Sequence, residues 1–155
     1  RLLGEDLELL ILAFGTRFDP IMYGHGDIIL ALEELDIEKS TLQRQLDIIL
    51  NHKRASRIKG IVVGRMVNIK ELSYPGWGRK VTVGEIIKQR VEKFKLPLAF
   101  CEDFGHAEWD YGPFAEIKKY FMNRRFLAIP NGVLARLTVG ENECKLEYLE
   151  SACNT

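Results

Sequence analysis

Two short apolar runs constrain this chain more than any other feature. Ile28-Ile29-Leu30-Ala31-Leu32 follows the flexible turn Gly24-His25-Gly26, and Gly60-Ile61-Val62-Val63-Gly64 is bracketed by glycines. Neither run alternates polar with apolar residues, so neither can turn one face to water. Runs of this kind suit central strands buried on both faces. A third stretch, Leu96 to Phe100, leads into Cys101-Glu102-Asp103-Phe104-Gly105-His106.

The segments between these runs carry helical spacing. Asp6 to Phe14 reads as a short apolar helix stopped by Gly15. Asp36 or Ser40 can cap a helix with Leu42, Leu46, Ile49 and Leu50 on one face. Thr82 with Glu85 forms a capping box before Ile86, Ile87, Val91 and Phe94. Tyr74-Pro75-Gly76-Trp77-Gly78 is a loop by its turn chemistry, and Pro113 opens a further helix through Phe114, Ile117 and Phe121. Val133 to Val139 and Cys144 to Leu149 alternate around Gly140-Glu141-Asn142, a hairpin signal. This order predicts one α/β domain over residues 1–155, with a mixed central sheet, flanking helices and a terminal β-hairpin.

Charge removes several functions from consideration. Lys+Arg and Asp+Glu both number 22, so no whole-surface attraction to nucleic acid or anionic membrane is expected. Lys118-Lys119 and Arg124-Arg125 around Tyr120 and Phe121 read as the solvated face of an amphipathic helix. No apolar run approaches the roughly 20 residues of a membrane span. Cys101, Cys144 and Cys153 are odd in number and form no CxxC pair, which fits a reduced intracellular protein better than a zinc ribbon or disulfide framework. The chain opens on Arg1 with an apolar segment from Leu2, and the expectation is that an N-terminal portion precedes it in the whole protein.

Chemistry in open α/β sheets gathers at the carboxyl ends of strands. Two such ends carry titratable groups here: Glu33-Glu34 after Ile28–Leu32, and His106 beyond Gly105. A carboxylate against an imidazole fixes its tautomer and stabilises the imidazolium, as a general base requires. Spacing alone leaves the meeting of these loops open, and a strand-end acid with a turn histidine is the simpler reading. His106, Glu108 and Asp110 alternate along the chain and with Glu33 would make a metal site for hydrolysis, although His25 and His52 lie in unrelated segments. Cys101 near His106 suggests a Cys-His pair, but it extends an apolar strand and reads better as a small hydrophobe. Tyr74, Trp77, Trp109 and Tyr111 would line a ligand groove or bury an interface.

Ordered signposts along the chain narrow these alternatives. Gly4-Glu5-Asp6-Leu7 through Gly15-Thr16 to Pro20, Ile29-Leu30-Ala31-Leu32-Glu33-Glu34 with Arg44 and Leu46, and Gly60-Ile61-Val62-Val63-Gly64-Arg65 come first. Leu96-Pro97-Leu98, Asp103-Phe104-Gly105-His106 and Ile129-Pro130-Asn131-Gly132 follow. In this order they resemble the C-terminal domain of serine LD-carboxypeptidases, a family that also includes the microcin C self-immunity peptidases. The resemblance implies a swivelling β/β/α-type domain and a Ser-His-Glu triad in which Glu33 orients His106. The serine and the oxyanion hole would belong to an N-terminal nucleophile domain absent from this chain.

By the same resemblance the whole protein would be a cytoplasmic, cofactor-free, homodimeric peptidase acting on a small cell-wall-derived or related peptide. It would dock its own N-terminal domain and touch neither nucleic acid nor membrane. The isolated chain would be inactive. Three departures stand out: Glu5-Asp6 replaces the family's Gly-Asn, Asn131 replaces a usual Leu, and a segment of about 107–128 is inserted after His106. A non-catalytic ligand- or protein-binding module on the same fold is the competing class, and a metal-dependent hydrolase a third.

Overall fold

The computed structural model describes residues 1–71, 81–106, 127–141 and 143–153. Its centre is a four-stranded sheet in the order β1 (Leu2–Asp6), β2 (Ile28–Leu35), β3 (Ile58–Val67) and β4 (Leu98–Phe100). Every pairing in that sheet is parallel. Antiparallel pairing occurs separately, between β5 (Ala135–Val139) and β6 (Cys144–Tyr148). The mixed character expected of the sheet is thus divided between a parallel sheet and the terminal hairpin.

The apolar runs explain this layering. Along β2, Ile28, Leu30 and Leu32 enter one core cluster while Ile29 and Ala31 enter another. Successive side chains on a strand point to opposite faces, so a run apolar at every position must be covered on both sides. The first face takes α1 (Leu7–Leu12), α2 (Pro20–Tyr23), α3 (Lys39–Leu50) and α4 (Val83–Glu92), through Leu7, Leu10, Ile21, Leu46, Ile49 and Ile87. The second face takes Phe104, Val133 and the hairpin residues Leu137 and Leu146. Gly60 admits that hairpin, since a Cβ there would lie 2.8 Å from Leu137.

Local signals behave as their chemistry dictates in most places. Thr82 and Glu85 close a reciprocal capping box at α4. The start of α3 differs: Glu38 occupies the N-cap without a side-chain bond. Ser40 donates to Glu38 at 3.3 Å, and Asp36 sits at φ +55° with Asn68 donating to it. Neither Asp36 nor Ser40 caps that helix. The short helix expected from Asp6 to Phe14 is the six-residue α1, with Asp6 ending β1 and capping it by accepting from Leu9 N–H at 3.0 Å.

His52 is a structural residue. Its Nε2 lies 3.0 Å from Asp19 Oδ2, in a pair almost wholly sealed from solvent, and its ring packs on Phe14. Burial alone would raise the Asp19 carboxyl, but N–H donation from Met22 and Gly15, with the His52 contact, holds it below the ordinary value. The described cysteines are all free thiols.

The outer edge of β1 is closed by the segment just before the hairpin. Leu2 donates to Val133 O and Gly132 donates to Leu2 O, both at 2.8 Å. Next to them the Asn131 side chain imitates a strand, its Oδ1 accepting from Gly4 N–H and its Nδ2 donating to Gly4 O at 3.0 Å. Asn131 therefore has a defined role: it satisfies an edge that a hydrocarbon side chain would leave to water. Asn131→Ala should destabilise the chain by about 1 kcal/mol, the net worth of a solvent-accessible hydrogen-bonded pair. Urea unfolding followed by circular dichroism would measure it, and an unchanged midpoint would remove this role.

Candidate active site

Glu33 gets its position from an irregularity in the sheet. The ladder pairs Leu32 with Val63 and then Glu34 with Met66, so Gly64 and Arg65 together oppose Glu33. An extra residue of this kind bends its strand and re-aims neighbouring side chains. The Arg65 N–H, on the β4 side of β3 like that of Ile61, donates to Phe104 O at 3.0 Å. Glu33 and Glu34 therefore lie within β2, which runs on to Leu35, and not beyond its end.

The loop carrying His106 is clamped across this irregularity. The Phe104 ring lies so close over Gly64 that a Cβ there would come 2.5 Å from it. Gly105 adopts φ +100°, and an added Cβ would meet Glu33 Cβ at 2.9 Å and Arg65 N at 3.0 Å. Only glycine satisfies both the backbone angle and the approach. The buried Arg65 guanidinium donates from Nη2 to Gly105 O at 2.7 Å. Phe104 anchors the loop in the apolar cluster beneath the hairpin.

This clamp brings Glu33 and His106 together. Glu33 Oε2 lies 2.5 Å from His106 Nδ1 and also accepts from the His106 backbone N–H at 3.2 Å. The carboxylate is largely covered, at 13% side-chain exposure, whereas the imidazole is 38% exposed. An ionised carboxylate only accepts, so Nδ1 carries the proton and Nε2 is the nitrogen left to exchange one. That is the geometry of an oriented general base.

Two residues that sequence reasoning did not place in the site complete it. Asp6, in register with Glu33 on the neighbouring strand, has its carboxylate within 4.8 Å of both Glu33 and His106. Arg65 supplies the loop contact described above. The sequence signal for Asp6 was its place at the end of an apolar segment, just ahead of a helix it could cap. Three such ligand atoms have metal-like spacing, but Glu33 Oε2 and Asp6 Oδ1 already accept N–H bonds. Both carboxylates are thus tied to backbone, Glu33 at His106 and Asp6 at Leu9. Glu108 and Asp110, the other members of the metal reading, lie outside the described residues, as do Tyr74, Trp77, Trp109, Tyr111 and the basic segment at 118–125.

Glu34 occupies the opposite side of β2 and is almost completely buried. Its Oε1 accepts from Leu35 N–H at 2.9 Å. Burial pushes its carboxyl up to about 7, with the Leu35 bond opposing, Asp6 adding to the rise and the Gln45 side chain resisting it. Cys101 packs against the cluster beneath the hairpin, as a small hydrophobe would. Ser40 lies in α3, Ser56 in a short 3₁₀ turn at Ala55–Arg57, and Ser151 donates to Cys153 O near the chain end.

Comparison with known proteins agrees with this frame. A muramoyltetrapeptide carboxypeptidase from Oxalobacter formigenes superposes with a TM-score of 0.69 at 18% identity, over 94% of this chain and 43% of its own. The microcin C7 self immunity protein MccF, solved among other states in complex with aspartyl sulfamoyl adenosine, gives 0.50 at 17% identity, over 66% of this chain and 29% of its own. The chain spans less than half the length of either. No curated protein matches the sequence. Identities this low establish the fold alone; the family model for the LD-carboxypeptidase C-terminal domain, however, matches residues 1–111 directly. By that match, which takes in β1 to β4 and the loop holding His106, the chain belongs to the LD-carboxypeptidase C-terminal domain family.

Proposed function

We propose that this chain supplies the acid–base half of a serine LD-carboxypeptidase, with Glu33 as orienter and His106 as proton shuttle. The observation that carries the reading is the 2.5 Å contact between Glu33 Oε2 and Nδ1 of the part-exposed His106, which commits one ring nitrogen and leaves the other to exchange a proton. In the whole protein a serine from a preceding domain would attack an amide carbonyl and pass its proton to His106 Nε2. His106 would then give that proton to the leaving amine, and water would release the acyl group by the same relay. Glu33 stabilises the imidazolium at each stage. The chemistry needs no cofactor.

The substrate class is a small peptide cut beside a D-configured or modified residue. Muramoyltetrapeptide carboxypeptidase and MccF with its aminoacyl sulfamoyl nucleosides support that class. The whole protein would act in peptidoglycan recycling, in the cytoplasm and as a homodimer. The chain leaves the site at His106 and is back beside it at Leu127, which donates to Asp103 O at 2.6 Å. An insertion over about 107–128 therefore begins and ends at the dyad, a position from which it would shape specificity.

Two outcomes test this reading. The isolated chain should not release the terminal residue from a muramoyl tetrapeptide; turnover by the pure chain, assayed by mass spectrometry, would show that a nucleophile is already present. In the full-length protein, His106→Ala should lower kcat roughly 10³-fold or more, and Glu33→Ala by no more than His106→Ala. Near-normal kcat in both variants would remove the triad assignment.

A further inference from the structure

The segment that closes the outer edge of β1 carries a reactive pair that the proposed reaction does not use. Asn131 is followed by Gly132, and at no other asparagine of the chain is the next residue glycine. Asparagine before glycine is the pairing most prone to lose its side-chain amide, because a glycine nitrogen has no side chain beside it to obstruct attack on Cγ. Both residues are exposed, so water reaches them. Gly132 has φ +85°, and a Cβ there would meet nothing within 4 Å. Crowding therefore does not protect the pair.

Hydrogen bonds protect it instead. The attacking nitrogen would be that of Gly132, whose N–H donates to Leu2 O at 2.8 Å. Removing that proton would set a negative nitrogen against a carbonyl oxygen. The amide under attack is held as firmly, with Oδ1 accepting from Gly4 N–H and Nδ2 donating to Gly4 O at 3.0 Å. Ring closure removes both the Gly132 hydrogen and the Nδ2 donor, so it forfeits the bonds to Leu2 O and Gly4 O. Leu2 N–H on Val133 O at 2.8 Å completes the clasp, and Arg1 Nη1 donates to Gly132 O at 3.2 Å.

We propose that Asn131–Gly132 is a deamidation site that the β1 edge holds in check, and whose product releases that edge. In the reaction Gly132 N bonds to Asn131 Cγ and the Cγ–Nδ2 bond breaks. Nδ2 departs as ammonia, with the proton that Gly132 N gives up. Water, the sole co-reactant, then opens the cyclic imide. Attack at Cγ leaves aspartate; attack at the Asn131 main-chain carbonyl carbon leaves isoaspartate, with one more atom in the backbone. No group is oxidised or reduced. Either product lacks the Nδ2 donor and gains a carboxylate, which when ionised only accepts, so Gly4 O loses its partner. In isoaspartate the lengthened backbone also throws the Gly132 and Val133 bonds to Leu2 out of register. β1 bears Asp6, in register with Glu33, so the released edge belongs to the strand beside the dyad. The inference is independent of the peptidase reading.

The test is peptide mapping by mass spectrometry on this chain at mildly alkaline pH, with isoaspartate counted by enzymatic methylation. The folded chain should convert Asn131 at least about tenfold more slowly than the same chain in guanidinium chloride, because reaction must wait for the edge to open. Equal rates would overturn the protection. Asn131→Gln should remove the signal, since glutamine closes the corresponding ring far more slowly; conversion persisting in that peptide would also count against the assignment. Asn131→Asp, the aspartate product made directly, should be less stable than wild type near neutral pH, and its Leu2 and Gly132 amides should exchange faster with solvent. That deficit should shrink as pH falls through about 4, because the neutral acid regains an O–H to give to Gly4 O. Wild-type exchange rates in Asn131→Asp would overturn the release of the edge.

Discussion

The close seating of the Phe104–His106 loop on the backbone of β3 is the constraint on which the site depends. It demands bare backbone at Gly64 and Gly105, a donor at Arg65 N–H, and a ladder that skips a residue opposite Glu33. Each requirement alone is a small local oddity. Together they set an imidazole against a carboxylate from another strand, with a tolerance of a few tenths of an ångström. A methyl group at either glycine would push the loop outward and lengthen the Glu33–His106 contact before any core residue moved.

Much of the fold was legible because its cues are local. The unbroken apolar run at Ile28–Leu32 states that both faces of β2 are covered, and the helices and hairpin cover them. The Thr82–Glu85 box and the alternation on either side of Gly140 are likewise short-range chemistry. β1 was missed because Gly4-Glu5-Asp6 breaks its apolar pattern, and the strand is held instead by β2 on one side and by Asn131–Val133 on the other. Those partners are distant in sequence, and no window of ten residues contains them.

The site divides in the same way. Glu33 and His106 could be nominated from strand ends and from family resemblance, but the skipped residue that aims Glu33 is a matter of register between two strands. Register is a tertiary quantity. Asp6 was hidden for a related reason: it reads as helix-start chemistry, and it does cap α1. Its second place, beside Glu33 and His106, appears only once β1 is known to pair with β2.

The bond from Leu127 to Asp103 has a consequence for how such a domain can change over evolutionary time. It joins the two ends of the excursion that leaves after His106, so the sheet experiences a closed stem whatever is strung between. Lengthening a loop whose ends are already tied costs only a logarithmic entropy increment. Descendants of one scaffold can therefore lengthen, shorten or exchange that stretch beside the imidazole while the imidazole itself stays where it is.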